Sequence, residues 1–145
     1  MEEITVRNVK PEDYEDISVL STELGYRYPK EKMRQRISYL TYHTKDIILV
    51  ADNGSSVVGY IHASPYQLMY QDPIMNILGF VVKEEFRGHG IGHLLITEIE
   101  RHAIRHGFTG FRLTSGDQRT GAHHFYEKHG FTTNKTSKKY VKAFD

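Results

Sequence analysis

A short glycine-rich turn, set between an apolar run and a long amphipathic stretch, constrains this chain more than any other feature. The run from Ile74 to Val82 reads IMNILGFVV, apolar and rich in β-branched residues, and predicts a well-buried strand. Beyond the turn, Ile91, Leu94, Leu95, Ile99, Ala103 and Ile104 recur at helical spacing and predict a helix with one apolar face. Between them stands Arg87-Gly88-His89-Gly90-Ile91-Gly92. Strand, glycine turn and helix start in that order form a cradle for phosphate. Unbonded backbone N–H groups point out of the helix start, its dipole favours negative charge, and glycine lets the backbone approach a ligand. Two familiar phosphate loops do not fit. No lysine follows Gly92, as a P-loop requires, and the glycine spacing is Gly88-x-Gly90-x-Gly92 rather than that of the dinucleotide fingerprint.

The remaining chain reads as a mixed α/β protein rather than a strict βαβ repeat. Ile4, Val6 and Val9 predict a first strand. Pro11-Glu12-Asp13 opens a helix whose apolar face is Tyr14, Ile17, Leu20 and Leu24, with Gly25 as its stop. A second helix starts near Pro29; Met33, Ile37 and Leu40 form its apolar side, and Lys30, Lys32, Arg34 and Arg36 a solvated one. Ile47–Ala51 and Ser56–Ala63 predict strands joined by the turn Asp52-Asn53-Gly54-Ser55, and Gly59 marks a bulge or a tight contact. The loop from Pro65 to Pro73 carries Tyr66, Leu68, Met69 and Tyr70, side chains expected to pack over a sheet edge, a partner subunit or a substrate pocket. Phe108–Ser115 predicts a further strand and Gly116-Asp117 a turn. Arg119–Lys128 predicts a short helix, and two final strands follow around an Asn134-Lys135 turn.

Composition narrows the function classes. The chain has 145 residues, consistent with a single domain over residues 1–145, and a net charge of +1 that calls for neither nucleic acid nor membrane. It has no cysteine, which excludes disulfides, thiolate metal sites and cysteine nucleophiles. His89 and His93, like His102 and His106, are four residues apart. Neither pair has the glutamate that a zinc-protease helix places after its first histidine, so no metal is expected. With no apolar signal core near Met1, the expected location is cytoplasmic.

A second block, Ala122-His-His-Phe125-Tyr126-Glu-Lys-His-Gly130-Phe131, lies one helix and one strand beyond the glycine turn. Together, Arg87-x-x-Gly90-x-Gly92 and this block resemble the GNAT family of N-acetyltransferases, most nearly its aminoalkylphosphonate and aminoglycoside acetyltransferase-like members. The resemblance covers the whole chain in element order: a strand, two helices, a hairpin, a fourth strand, a helix, a fifth strand, a short helix and two final strands. It implies a single central, mixed, mostly antiparallel sheet flanked by helices, the fold that binds acetyl-CoA. It also implies that Phe80, Val81 and Val82 offer backbone groups to the pantetheine arm. Arg87, Gly88, His89, Gly90, Ile91 and Gly92 would then cradle the pyrophosphate, with Arg119, Ala122 and Phe125 beside the cofactor. Tyr126 matches the tyrosine that protonates the departing thiolate. A phenol, with a reference pKa of roughly 10, donates a proton to sulfur but is a poor base at neutral pH.

The resemblance breaks at one point. Relatives place a glutamate in the fourth strand to help deprotonate the amine, whereas the matching positions here are Asn76 and Gly79. Glu23 and His62 are the candidate bases by location, and Gly79 is expected either to widen the pocket floor or to mark weak activity or an unusual substrate. The implied activity is transfer of an acetyl group from acetyl-CoA to a primary amine of a small molecule. The alternatives are a catalytically silent acyl-CoA-binding regulatory protein on the same fold, and a protein or peptide N-acetyltransferase. A homodimer, paired through the 65–73 loop or the last strand, is compatible with the composition.

Overall fold

Turn chemistry sets up the central hairpin. Asp52 Oδ1 accepts the Gly54 amide at 2.8 Å, Asn53 Oδ1 accepts the Ser55 and Ser56 amides at 2.9 Å, and Gly54 takes φ 94°. The computed structural model describes residues 3–115, 120–133 and 138–144, arranged as two units, Met1–Leu113 and Thr114–Asp145.

The first unit is a five-stranded sheet in the order β1-β2-β3-β4-β5, formed by Thr5–Asn8, Ile47–Asp52, Val57–Tyr66, Ile74–Val82 and Phe111–Arg112. All pairs are antiparallel except β4–β5. Three helices, α1 (Tyr14–Glu23), α2 (Lys30–His43) and α3 (Ile91–Arg105), complete it. Strand alternation divides the core in two. Val50, Tyr60 and Val81 turn toward α1 and α2, where they cluster with Ile17, Leu20 and Ile37. Leu49, Ile61 and Met75 point the opposite way and are fully buried, as are Ile91, Leu95 and Ile99 of α3. Each such side chain contributes about 1.5–3 kcal/mol. Gly59 lies under α3. A Cβ there would stand 3.0 Å from the Val81 carbonyl oxygen and 3.3 Å from Leu95 Cδ1, and a register shift at Ala51/Asp52 lies opposite. The expected bulge and the expected tight contact coincide at this glycine.

Helix α1 ends in a Schellman motif at Gly25, with the Tyr26 amide bonded to Ser21 O at 3.0 Å and the Gly25 amide to Thr22 O at 2.9 Å. The basic residues of α2 are exposed, as a solvated face requires. Near β1, the Arg7 guanidinium donates two bonds of 2.9 Å to Asp13 and one of 3.1 Å to Asp52. These tie the first strand both to the turn before α1 and to the hairpin.

Several expectations need correction. Strand β3 runs on to Tyr66, so Pro65 is in a strand and not in a loop. It is tolerated there because β2 stops pairing at Ile47–Ala63, leaving no acceptor that would miss the proline N–H. In the shortened loop Met69 and Tyr70 extend into solvent instead of packing on this chain. Strand β4 is not uniformly buried. The register with β3 slips between His62 and Ala63, Leu78 is the extra residue, and it is 54% exposed. On α3, Leu94 and Ile104 lie on the wet side, Ile104 at 67% exposure, and Ile96 takes a core place instead, because the buried stripe steps by four from Ile91. The predicted strand over 108–115 reduces to Phe111–Arg112; the Phe108 amide closes the end of α3 on Ala103 O.

The second unit contains α4, Thr120–Lys128. Its expected final strands are not found among the described residues: Phe131–Thr133 and 138–144 have no strand structure, and Tyr140, Val141 and Phe144 are exposed, with no sheet taking up their side chains. The Gly116-Asp117 and Asn134-Lys135 turns lie outside the described residues, as does Arg119.

Candidate active site

After β4 the chain makes a tight turn at Glu84–Phe86, and Gly88 and Gly90 follow at φ 82° and 83°, Gly90 serving as the N-cap of α3. That left-handed backbone suits glycine, and a side chain there would cost about 1–2 kcal/mol. Among the described residues, the amides of Gly88, His89, Gly90, Ile91 and Gly92 have no acceptor. No acidic side chain sits in the first turn of α3, and a Cβ built at Gly88 or Gly90 would meet nothing within 4 Å. Five consecutive amides at a helix start with no acceptor among the described residues, two of them at glycines in open space, suit an anion. Arg87 turns back on the strand, its Nε donating to Val82 O at 2.8 Å, which joins the end of β4 to the loop.

Strand β4 itself opens toward this loop. It pairs with β5 only at Met75–Phe111 and Asn76–Arg112, while β3 accompanies it to Val82. Past Asn76 no further strand of the described residues follows its far edge, the arrangement in which an amide-bearing ligand adds like a strand. Phe80 and Val82 are half-buried there and Val81 is buried.

The sheet face toward α1 and α2 carries the polar groups. His62 lies directly across from Gly79 in the β3–β4 register. Its Nε2 is 2.7 Å from Asp46 Oδ2, with both side chains largely shielded. With Asp46 as acceptor, the tautomer assigned by this bond carries its proton on Nε2 and leaves Nδ1 as a lone pair. Gly79 does not widen the floor. A Cβ there would stand 3.2 Å from Tyr60 Cε1, so the Tyr60 ring takes the room. The Tyr60 hydroxyl shares a 3.0 Å bond with Ser21 Oγ, and burial pushes its pKa upward, which keeps it neutral. Asn76 is not a free replacement for a base either: its Oδ1 accepts a 3.1 Å bond from Arg112 Nη1. Glu23 sits exposed at the last position of α1. Among the described residues no three of His, Cys, Asp and Glu stand together as a cation cage.

In the second unit, the late sequence block is explained by its own helix stop. Gly130 takes φ 90°, the Phe131 amide bonds Tyr126 O at 3.0 Å and the Gly130 amide bonds Glu127 O at 3.1 Å. This is a Schellman motif, and its usual apolar contact is the Phe131 ring edge-on to Tyr126 at 5.6 Å. Phe125 stacks against His129 at 4.2 Å, and Ala122 is half-buried on the same helix.

A family model, Acetyltransferase (GNAT) family, matches residues 12–131. The chain belongs to the GNAT family of acetyltransferases. It is 27% identical over 135 residues to an uncharacterized N-acetyltransferase of Methanocaldococcus jannaschii, covering 88% of this chain and 60% of that relative's length. The GNAT fold recurs in solved structures. A transcriptional regulator from Bacillus halodurans superposes with a TM-score of 0.85 at 24% identity, covering 97% of this chain and 100% of the other. An aminoglycoside N-acetyltransferase in complex with CoA gives 0.85 at 17% identity, covering 98% and 96%. Within this GNAT chain, the open β4 edge and the loop after it are the elements the sequence pointed to. Asp46, Tyr60 and Arg112 were not visible in the sequence as neighbours of His62, Gly79 and Asn76, whereas Tyr66 was among the side chains expected over a sheet edge, a partner subunit or a substrate pocket. Asp46 was within reach of hairpin arithmetic from the Asp52–Ser55 turn, but the bulge at Ala51/Asp52 shifts that register. Arg112 carries no local signal, because its place depends on a parallel pairing between strands far apart in sequence.

Proposed function

We propose that this GNAT chain transfers an acetyl group from acetyl-CoA to a primary amine, on a small molecule, by direct attack on the thioester. The observation that carries the reading is the continuity of an open strand edge with five free amides at the start of α3. Acetyl-CoA supplies an activated acyl group whose carbonyl carbon the amine attacks and whose thiolate leaves. Phe80, Val81 and Val82 align the pantetheine arm through their backbone, and Gly88 to Gly92, with Arg87, hold the pyrophosphate. An amide of the open β4 edge donates to the carbonyl oxygen as charge develops there. His62 Nδ1 takes the proton of the attacking amine, and Asp46 orients the ring and stabilises the cation that forms. Glu23, exposed on α1, is the weaker base candidate. Sequence resemblance alone assigns Tyr126 as the acid for the departing sulfur and Arg119, Ala122 and Phe125 to the cofactor.

A second reading has its own support. With Asn76 and Gly79 the fourth strand has no carboxylate, and one structural neighbour is a transcriptional regulator, so a silent acyl-CoA-binding protein on this fold is the rival. A thiol-release assay with acetyl-CoA and a panel of amines, run beside direct coenzyme A titration, separates the two. Saturable, amine-dependent release supports the enzyme. Coenzyme A binding without release from any amine supports the silent protein, and absence of binding overturns both.

A further inference from the structure

Among the described residues two arginines are half-buried, Arg7 and Arg112. Arg7 is compensated by Asp13 and Asp52. Arg112 has no carboxylate partner among the described residues. Its guanidinium lies 4.5 Å over the Tyr66 ring, and its side-chain bond goes to the neutral Asn76 Oδ1 at 3.1 Å. Other arginines without a carboxylate partner, such as Arg27, Arg36, Arg87 and Arg105, are on the exposed surface, where water solvates them. A guanidinium stays charged at every physiological pH and offers five N–H donors in a planar fork. At Arg112 the ring fixes the plane and Asn76 fixes one edge. A carboxylate at position 76 would have neutralised the charge, whereas the amide positions it and leaves it.

The location gives this charge a use. Asn76 and Ser64 are paired across β4 and β3, so Arg112, Asn76, Ser64 and His62 share the sheet face on which Tyr60 meets α1. The carboxylate nearest in register on that face, Asp46, is engaged by His62. His62 and Tyr66 are four residues apart along one face of β3, roughly 13 Å.

We propose that Arg112, held by Asn76 and Tyr66, is an anion subsite for the acceptor, so that the acetylated amine carries a carboxylate, phosphonate or phosphate at its far end. This rests on the acetyltransferase reading above. The amine end lies beside His62 and the anionic end against the Arg112 fork, which makes the acceptor elongated. A bidentate charge-assisted contact of this kind discriminates by roughly tenfold or more against an uncharged analogue.

The test uses the full chain with acetyl-CoA and amines that differ only in their far end. The acids are β-alanine, γ-aminobutyrate, ε-aminocaproate and aminoethylphosphonate; the controls are propylamine and the matching amino alcohols. The expected result is kcat/KM at least about tenfold higher for an acid than for its neutral control, with the best chain length and the better of carboxylate and phosphonate identified by the series. In R112Q, and in N76E, where a built-in carboxylate occupies the fork, that ratio falls toward one through KM, while coenzyme A affinity stays unchanged. Titration of the same amines into coenzyme A-loaded protein reads the preference without turnover. Equal use and equal binding of acids and controls, or a ratio that survives in both variants, overturns the subsite and leaves acetyl transfer standing. Failure to bind coenzyme A overturns the underlying reading as well.

Discussion

At the scale of single residues, the chain uses glycine for two different reasons. Gly90 is required by a left-handed backbone with open space around it, Gly59 by a neighbour at close range in ordinary strand conformation. The two predict opposite failures. Gly59→Ala forces a methyl to within 3.0 Å of the Val81 carbonyl oxygen, a backbone atom that cannot swing aside. The expected loss is about 1–3 kcal/mol in a denaturant titration, and an unchanged midpoint would mean that the β3–β4 pair yields without cost. Histidine shows the limit of reading residues singly. His62 drew notice from its place at the end of a strand, but its orientation comes from Asp46, a carboxylate that looks like ordinary loop chemistry in the sequence.

At the scale of elements, the turn between β4 and α3 is the clearest case of sequence setting function-ready geometry. Its glycines, its basic residues and the absence of acid in the first turn of α3 act together. Gly90→Val should cost about 1–2 kcal/mol of stability through backbone strain at φ 83°, with no steric clash added, and that strain redirects the amides. Coenzyme A affinity should fall by about tenfold or more, read by calorimetry. Retained affinity would show that the pyrophosphate is held elsewhere. The short helix α4 was also legible, including its stop, because the Gly130-Phe131 pair satisfies the last carbonyls with local bonds. Strand ends were not. Tyr66 extends β3 and Arg112 ends β5 through partners more than seven residues away, and β-propensity alone carries no information about those partners.

For the whole molecule, the Arg7 network should dominate the acid limb of stability in the first unit. Burial works to raise the Asp13 pKa, but the Arg7 bonds and the Lys10 amide outweigh it. The Gly54 amide and then Arg7 lower that of Asp52, so both folded values lie below the 3.8 of the free group. A lowered carboxylate pKa means that the unfolded chain binds the proton more readily. The stabilisation is therefore complete above about pH 5, declines as pH falls through 3.8, and is lost below the folded values. Denaturant midpoints from neutral pH down to this range should fall steeply in the wild type and less in Arg7→Met. Parallel curves would remove the network from the account.

What the sequence determined by itself is what local physics determines: apolar periodicity, turn chemistry, helix stops and the glycine loop after the fourth strand. These depend on residues within a few positions of each other, so spacing alone reveals them. Tertiary structure decided the rest. The bulge at Leu78, the early departure of β5 from β4, the Tyr60 ring over Gly79, the Asp46–His62 pair and the uncompensated Arg112 all depend on register between distant segments. A one-residue slip in that register exchanges the two faces of a strand, and it is set by the sum of core contacts that no single stretch of chain contains.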